Sequence, residues 1–238
     1  MWYWIKKAVN LFLFIASIIM LSWFIKGSLL NIYVIPTNSM SPTLKVGDYI
    51  TVQKFPYLIK VPEHYPLSIV PFPYYSNKGF LNLEIDDIIV FYSPIEKNSN
   101  PVQNMTLIKR IRGIPGDTIY VHDRLVISKD SVNKYSEVKS FYAPKKGDSI
   151  ILKKDNYNKW EKLIKKDGSS ITIIDDQIVI NNEPSNIYIF SNAFYFLTGD
   201  NTTESNDSRI WGPIPDNLII GKAKRVIYRD KKVSNITL

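Results

Sequence analysis

The chain has 238 residues, of which 45% are hydrophobic and 13% aromatic, so it can form a folded core and is not an intrinsically disordered protein. Its net charge of +8 would suit nucleic acid or an anionic membrane surface, but no run of Lys or Arg exceeds two residues, which favours the membrane. The absence of cysteine excludes disulfides, thiolate metal sites and cysteine nucleophiles, and only His64 and His122 could serve a histidine triad.

The first predicted element is a membrane anchor. Ala8 to Ile25 is an uncharged apolar run that, at about 1.5 Å per residue in a helix, just crosses a bilayer core of roughly 30 Å. A cleaved signal peptide is the alternative, but its apolar region is shorter, and Lys26-Gly27-Ser28 is a poor cleavage site. We therefore expect the segment to be retained.

The charges around this run predict its orientation. Lys6, Lys7 and the amino terminus outweigh Lys26, so the positive-inside rule predicts a cytoplasmic N-terminus and a translocated chain after the anchor. The predicted domains are a single-pass anchor over residues 1–27 and a β-domain over residues 28–238.

Short runs of alternating apolar and polar residues follow the anchor, a pattern that indicates antiparallel strands. The predicted strands are Ile32–Val34, Tyr49–Gln53, Ile85–Tyr92, Met105–Ile111, Phe194–Leu197 and Leu218–Tyr228. Residues 119–128 and 171–181 are predicted hairpins that bend near Asp123-Arg124 and Asp175-Asp176.

One soluble helix is predicted over Asp155 to Lys166, because its apolar side chains fall on one face, Asp155 can cap its start and Gly168 can end it. Residues near 56–80, which hold several prolines, and 128–192 are predicted insertions. The predicted fold class is mostly β: an N-terminal transmembrane helix followed by an antiparallel β-sheet domain with one short inserted helix.

The segment Ile35 to Leu44 contains the candidate nucleophile. It places Ser39 in a tight stretch between Pro36 and Pro42, shortly after the anchor. A serine between prolines is also a common turn residue whose hydroxyl bonds the nearby backbone, and these ten residues alone leave that alternative open.

Lys109 is the candidate base. Amide hydrolysis needs a nucleophile, a base and oxyanion donors, and a lysine serves as base only if burial lowers its pKa from about 10.4. In a strand, Lys109 shares one face with Leu107 and Ile111, whereas Arg110 and Arg112 lie on the other. A lysine on an apolar face is either a desolvated functional group or a guard against edge-to-edge pairing, and periodicity does not separate the two.

Three stretches, residues 35–44, 107–117 and 199–212, follow a hydrophobic N-terminus in this order and closely resemble the motifs of the type I signal peptidases, bacterial leader peptidases with a Ser/Lys dyad. Taken alone, the third stretch would be a polar loop held by Asx turns. The resemblance implies Ser39 as nucleophile and Lys109 as general base. It also implies an oxyanion hole formed by the Ser39 backbone N–H and the hydroxyl of Thr37, a threonine where the family has serine.

The resemblance assigns further roles. It implies that Ser205 hydrogen-bonds the lysine and that Asp207 and Arg209 hold the third motif in place. Substrates of the family carry small residues one and three positions before the cleaved bond, so the resemblance implies the same preference here. The candidate pocket walls, by motif position, are Tyr33, Ile35, Pro36, Leu44, Leu107 and Ile108. Met40 is expected at a membrane-facing apolar surface.

The function implied is a membrane-bound serine endopeptidase that removes N-terminal signal peptides from exported precursors through an acyl-enzyme. It would act on the outer side of a bacterial cytoplasmic membrane, with precursor proteins and the lipid bilayer as partners, no nucleic acid, and no metal or organic cofactor. The oligomeric state stays open.

Three alternatives remain. A self-cleaving repressor-type peptidase shares the Ser/Lys logic but carries a DNA-binding module where this chain has an anchor. An anchored β-domain that only binds exported chains would not cleave them. An organellar inner-membrane processing peptidase would differ in localisation.

Overall fold

The computed structural model of the chain describes residues 2–28, 30–53, 58–60, 76–78, 83–94 and 105–238. Its α-helices are α1 (Trp2–Ser28), α2 (Tyr157–Lys166) and α3 (Ser208–Trp211). Over Trp2–Met20, α1 is long and apolar enough to cross a membrane, and none of that stretch is buried by the rest of the protein. The predicted apolar run therefore lies within a longer helix.

Within the described residues the β-structure consists of many short strands, as the alternating pattern predicts. The strands are β1 (Leu30–Val34), β2 (Tyr49–Gln53), β3 (Leu58–Lys60), β4 (Ser76–Lys78), β5 (Ile88–Tyr92), β6 (Thr106–Gly113), β7 (Thr118–His122), β8 (Leu125–Ile127), β9 (Lys139–Tyr142), β10 (Ser149–Ile151), β11 (Ile171–Ile174), β12 (Gln177–Ile180), β13 (Glu183–Pro184), β14 (Ile187–Ile189), β15 (Phe194–Thr198), β16 (Ile214–Pro215), β17 (Ile219–Arg229) and β18 (Lys232–Thr237). The 3-10 turns are Asn38–Met40, Lys129–Lys134 and Asp216–Leu218.

The main sheet is antiparallel, with strand order β1-β2-β17-β5-β6-β15-β16, and β18 pairs with β17. The segment between β1 and β2 folds over one face of this sheet. Its Met40 and Leu44 are fully buried against Ile50, Val90 and other apolar side chains of β2, β5 and β17. This packing carries the segment across the sheet towards β6, which is three strands away from β2.

The burial of Met40 contradicts the expectation that it lies at a membrane-facing surface. Met40 has no exposed surface, because the 3-10 turn directs its side chain into the core.

Most predicted elements are confirmed, and the predicted fold class with them. The predicted strand from Ile85 begins instead at Ile88, because Asp86 has a φ of 74° and the Asp87 carboxylate accepts from the Glu84 N–H in a tight turn. Asn156, and not Asp155, precedes the first turn of α2, and its side chain makes no capping hydrogen bond. The elements that were not predicted are α3 and the strands β9, β10, β13, β14, β16 and β18.

Strands β7 to β14 form small sheets. These sheets and α2 pack around a second apolar cluster, which includes Phe190, Phe194 and Phe196. Both predicted hairpins are present, with positive φ at Asp123-Arg124 and Asp175-Asp176. Most of the predicted 128–192 insertion lies here. Of residues 56–80, only β3 and β4 are described, and they pair antiparallel; the rest, including His64, lies outside the described residues.

Candidate active site

The loop that carries Ser39 is closed at its base. The Ile35 N–H donates to the Asp48 carbonyl at 2.9 Å, and the Gly47 N–H donates back to the Ile35 carbonyl at 2.9 Å. The Arg229 guanidinium pairs with the buried Asp48 carboxylate and donates to the Thr43 carbonyl at 2.8 Å. Ser39 is itself buried, in the 3-10 turn that follows β1. These bonds hold the serine on a fixed backbone.

Lys109 points from β6 directly at this serine. Its side chain is 3% exposed, and Nζ donates to Ser39 Oγ at 2.7 Å and to the Ile108 carbonyl at 3.0 Å. Lys109 and Ile111 are buried on one face of β6, whereas Arg110 and Arg112 lie on the other, as the alternation predicts. Lys109 is therefore the desolvated group rather than an edge-strand guard.

Burial lowers the pKa of Lys109 to about 8. The negative charge of Asp207, and to a lesser extent that of Asp200, acts in the opposite direction, whereas Arg209 adds to the lowering. A useful fraction of the amine is therefore neutral near pH 7 to 8, the form that accepts a proton.

Thr37 stands beside Ser39. Its Oγ1 lies 3.4 Å from Ser39 Oγ, and its side chain is exposed to solvent. An exposed hydroxyl two residues before the serine can turn towards an oxygen on a substrate bound there, which is the requirement for an oxyanion donor. Among the described residues, no group of three or more His, Asp or Glu side chains is placed to hold a metal ion.

The third motif is built around a buried carboxylate. Asp207 has no exposed surface; it accepts from the Gly199 N–H at 2.9 Å and from Arg209 Nε at 2.7 Å. Burial raises the pKa of Asp207, but hydrogen bonds from Arg209, Ser205 and Gly199 outweigh it, and the net shift is downward. The carboxylate is therefore ionised and fixes the loop.

Ser205 is buried in this network, and its hydroxyl donates to Asp207 Oδ2 at 2.6 Å. The two hydrogen bonds of Lys109 go to Ser39 and Ile108, so the expected bond between Lys109 and Ser205 is not among them. The predicted bond stays a prediction.

Gly199 joins the third motif to the loop that carries Ser39. A Cβ on this residue would lie 2.2 Å from Ser205 Oγ and 2.4 Å from the Ser39 carbonyl oxygen, so only glycine allows this approach. The Asn201 N–H donates to the same Ser39 carbonyl at 3.1 Å, and its Nδ2 donates to the Asn38 carbonyl at 3.3 Å. The serine turn and the third motif are therefore in direct contact.

Two arginines that were not among the predicted site residues complete the network. Arg110 binds Asp200 with two hydrogen bonds, of 2.8 and 2.6 Å, on the face of β6 opposite Lys109. Arg124, in the β7–β8 turn, donates to the Ser205 carbonyl at 2.7 Å, and its own carbonyl accepts from Arg209 Nη1. The Lys109-Arg110 pair and the Gly199-Asp200 pair were visible in the sequence, but nothing there indicated that they meet.

The predicted pocket walls are only partly brought together. Ile35 and Leu44 are buried in one cluster with Tyr33 and Ile108 packed against it. Leu107 packs into a different cluster, with Ile89 and Phe91 among its members, and Pro36 is exposed. These roles remain predictions.

Comparison with known proteins identifies the family. A family model described as signal peptidase, peptidase S26, matches residues 6–228. The chain belongs to this family. Signal peptidase I of Pseudomonas aeruginosa is 32% identical to it over 226 residues, which cover 89% of this chain and 70% of that protein. Signal peptidase I of Aquifex aeolicus is 32% identical over 98% of this chain and 87% of its own length, and that of Buchnera aphidicola from Acyrthosiphon pisum is 31% identical over 94% and 75%.

The resemblance found in the sequence is therefore confirmed. As a member of peptidase S26, the chain is a serine peptidase, a hydrolase of peptide bonds.

Proposed function

We propose that this peptidase removes N-terminal signal peptides from exported precursor proteins and that Ser39 and Lys109 are its catalytic dyad. The observation that carries the proposal is the 2.7 Å contact between Ser39 Oγ and the Nζ of a lysine that is buried and makes no ion pair among the described residues. The relatives named signal peptidase I support the substrate class.

In the first step, the neutral amine of Lys109 accepts the hydroxyl proton while Ser39 Oγ attacks the carbonyl carbon before the cleaved bond. The tetrahedral oxyanion is stabilised by the Ser39 N–H and by the Thr37 hydroxyl. The Lys109 ammonium then donates its proton to the leaving nitrogen, the C–N bond breaks, and an ester on Ser39 remains.

In the second step, Lys109 accepts a proton from a water molecule that attacks the ester. The new tetrahedral intermediate collapses, Ser39 Oγ regains a proton from Lys109, and the signal peptide leaves with a free carboxylate. The same amine thus accepts and donates a proton twice. Burial alone would lower its pKa further, and the nearby Asp207 and Asp200 oppose this, so the value of about 8 suits both directions of transfer.

The proposed location is the outer side of a bacterial cytoplasmic membrane, with the N-terminus in the cytoplasm. Lys6 and Lys7 at the start of α1 support this orientation. Four exposed apolar side chains, Val34, Tyr49, Tyr228 and Val233, lie side by side across β1, β2, β17 and β18. Since β1 follows the anchor closely, this row supports contact of the catalytic domain with the lipid bilayer.

The test is cleavage of a precursor with an Ala-X-Ala site by the full chain in neutral detergent. Ser39→Ala and Lys109→Ala should lose activity by at least about 1,000-fold while they remain folded by circular dichroism. Lys154→Ala, which removes an exposed lysine, should cleave at the wild-type rate. If the wild type binds the precursor but never cuts it, the chain acts as a binding module instead.

A further inference from the structure

A second, positively charged site lies behind the proposed catalytic dyad. A cavity of about 570 Å³ opens on the face of β6 opposite Lys109. Its charged lining consists of Asp86, Arg110, Arg112, Arg124, Asp200 and Arg209. Four arginines therefore face two aspartates. Because Arg209 is also balanced by Asp207, which is not a lining residue, an excess of one positive charge remains and favours an anionic occupant.

Two of these arginines are committed to the fold. Arg110 binds Asp200 through two hydrogen bonds, and Arg209 binds the fully buried Asp207 in the same way. Neither is available to a ligand without loss of an internal ion pair.

The other two arginines keep unused donors. Arg112 pairs through Nη1 with Asp86, but the two side chains are 37% and 62% exposed, and such a pair contributes little and exchanges readily for another carboxylate. Arg124 donates through Nε to the Thr202 carbonyl and through Nη2 to the Ser205 carbonyl. No carboxylate of the described residues forms an ion pair with Arg124, so its charge is not balanced by a bound partner.

The wall beside these arginines suits an extended peptide. Leu125 and Val126 expose their side chains on β8, which is an edge strand of the sheet β8-β7-β9. A second cavity, of about 470 Å³, continues along β7 and β8 and shares Arg112 and Val126 with the first. The two together form a groove with apolar side chains, arginines and a strand edge that no other described strand pairs with. Such a groove matches a peptide segment better than a single small anion.

The groove is close to the reaction centre. Gly199 lines the cavity, and a Cβ on it would lie 2.4 Å from the Ser39 carbonyl oxygen and 2.2 Å from Ser205 Oγ, so the cavity and the serine turn meet at this residue. An extended chain of about four to eight residues spans about 13–28 Å, enough to reach from Ser39 past Gly199 into the groove.

We propose that the arginine groove binds acidic side chains of the substrate in the mature segment that follows the cleaved bond, with Arg112 and Arg124 as the contacts that determine specificity. The inference rests on the proposed signal-peptide cleavage, because it describes the leaving half of that substrate. A lipid phosphate is the competing occupant, but β6 lies four strands from β1, where the anchor joins the sheet, which favours the peptide.

The experiment compares precursors that are identical except for an Asp-Glu or an Asn-Gln pair, placed in turn at successive positions after the cut. The full chain in neutral detergent should cleave the best-placed acidic precursor with a kcat/KM about three- to tenfold higher than the neutral one. Arg112→Gln should reduce this ratio to below about twofold, and Arg112→Lys should retain part of it. The ratio should also fall at high salt.

Lys154→Gln is the matched control, since it removes one positive charge from another exposed ion pair, with Asp176, and should keep the wild-type ratio. Arg124→Gln should lower the ratio as Arg112→Gln does. A wild-type ratio near one, or an unchanged ratio in Arg112→Gln, overturns the proposal. If Arg112→Gln instead loses binding to phosphatidylglycerol vesicles and keeps the ratio, the occupant is a lipid phosphate and the proposal is wrong. Failure of the wild type to cleave either precursor would overturn the proposed function itself.

Discussion

The pKa of Lys109 predicts a steep pH dependence for cleavage. Burial lowers this pKa to about 8, so the neutral amine makes up about 1% of the enzyme at pH 6, about 9% at pH 7 and half at pH 8. In the proposed mechanism, only the neutral form accepts the Ser39 proton. We therefore expect kcat/KM to rise roughly fiftyfold from pH 6 to pH 8 and by less than about twofold from pH 8 to pH 10.

The assay is initial-rate cleavage of a fluorogenic peptide with an Ala-X-Ala site, in neutral detergent at constant ionic strength. A sharp control is available, because burial also lowers the pKa of Lys166 to about 8. Lys166 donates to the Trp211 and Pro213 carbonyls, and arginine retains such donors without titrating in this range. Lys166→Arg should therefore keep the wild-type midpoint.

Either of two results would refute this reasoning. A rate that is flat between pH 6 and pH 9 would mean that no group with a pKa near 8 limits the reaction. A midpoint that disappears in Lys166→Arg would assign the titration to the other buried lysine.

Three further changes test the network around the dyad. Gly199→Ala places a Cβ 2.4 Å from the Ser39 carbonyl oxygen, so cleavage should fall by about 100-fold or more, and unchanged activity would contradict the close approach. Asp207→Asn leaves Arg209 buried without its carboxylate and should lower the free energy of unfolding by about 3 kcal/mol, which corresponds to a Tm lower by about 6–12 °C. Because the charge of Asp207 raises the pKa of Lys109, the pH midpoint of any remaining activity should also move down. Lys109→Met should abolish cleavage yet raise the free energy of unfolding at pH 7 by about 1 kcal/mol, measured by Tm. The reason is that burial of the ammonium destabilises the folded chain by about 3 kcal/mol, whereas its two hydrogen bonds stabilise it by about 2 kcal/mol.

The sign of the last prediction follows from the direction of the pKa shift. The pKa of Lys109 is lower in the folded chain than in the unfolded one, so the unfolded state binds the proton more tightly. The stability cost is therefore complete below about pH 8 and disappears as the pH rises towards 10.5. The greater stability of Lys109→Met relative to the wild type should therefore shrink as the pH rises from about 8 to 10.5. A stability difference that grows with pH would contradict the account.

Local pattern was enough to predict most strands and turns. The alternation along β6 put Lys109 and Ile111 on the buried face and the arginines on the other, and the structure has them so. The pair Pro115-Gly116 is typical of a turn with positive φ at its glycine, and the φ of Gly116 is 97°. Such features depend on a few neighbouring residues, which is why they can be read from the sequence.

Contacts between distant segments could not be predicted from local pattern. Ser39 and Lys109 are 70 residues apart, and their meeting depends on Met40 and Leu44 packing across the sheet. Gly199 has an ordinary backbone conformation, and its need for glycine comes only from the proximity of Ser205 and Ser39. The resemblance to a family supplied the pairing that periodicity could not.

Edge strands with weak patterns were also missed. Strand β18 alternates poorly and is mostly exposed, so its only strong signal is the turn at Asp230-Lys231, where both residues have positive φ. The bond from Arg124 to the Ser205 carbonyl had no sequence signal at all, since it joins a hairpin turn to a loop 81 residues later.

The most direct test of the central claim is to identify the residue that becomes acylated. The full chain in neutral detergent is treated with an acylating active-site inhibitor, and the adduct is located by peptide mapping and mass spectrometry. We expect one acyl group on the peptide that contains Ser39 in the wild type, and none in Lys109→Met under the same conditions. An adduct on a different residue, or equal labelling of Lys109→Met, would contradict the Ser39–Lys109 dyad.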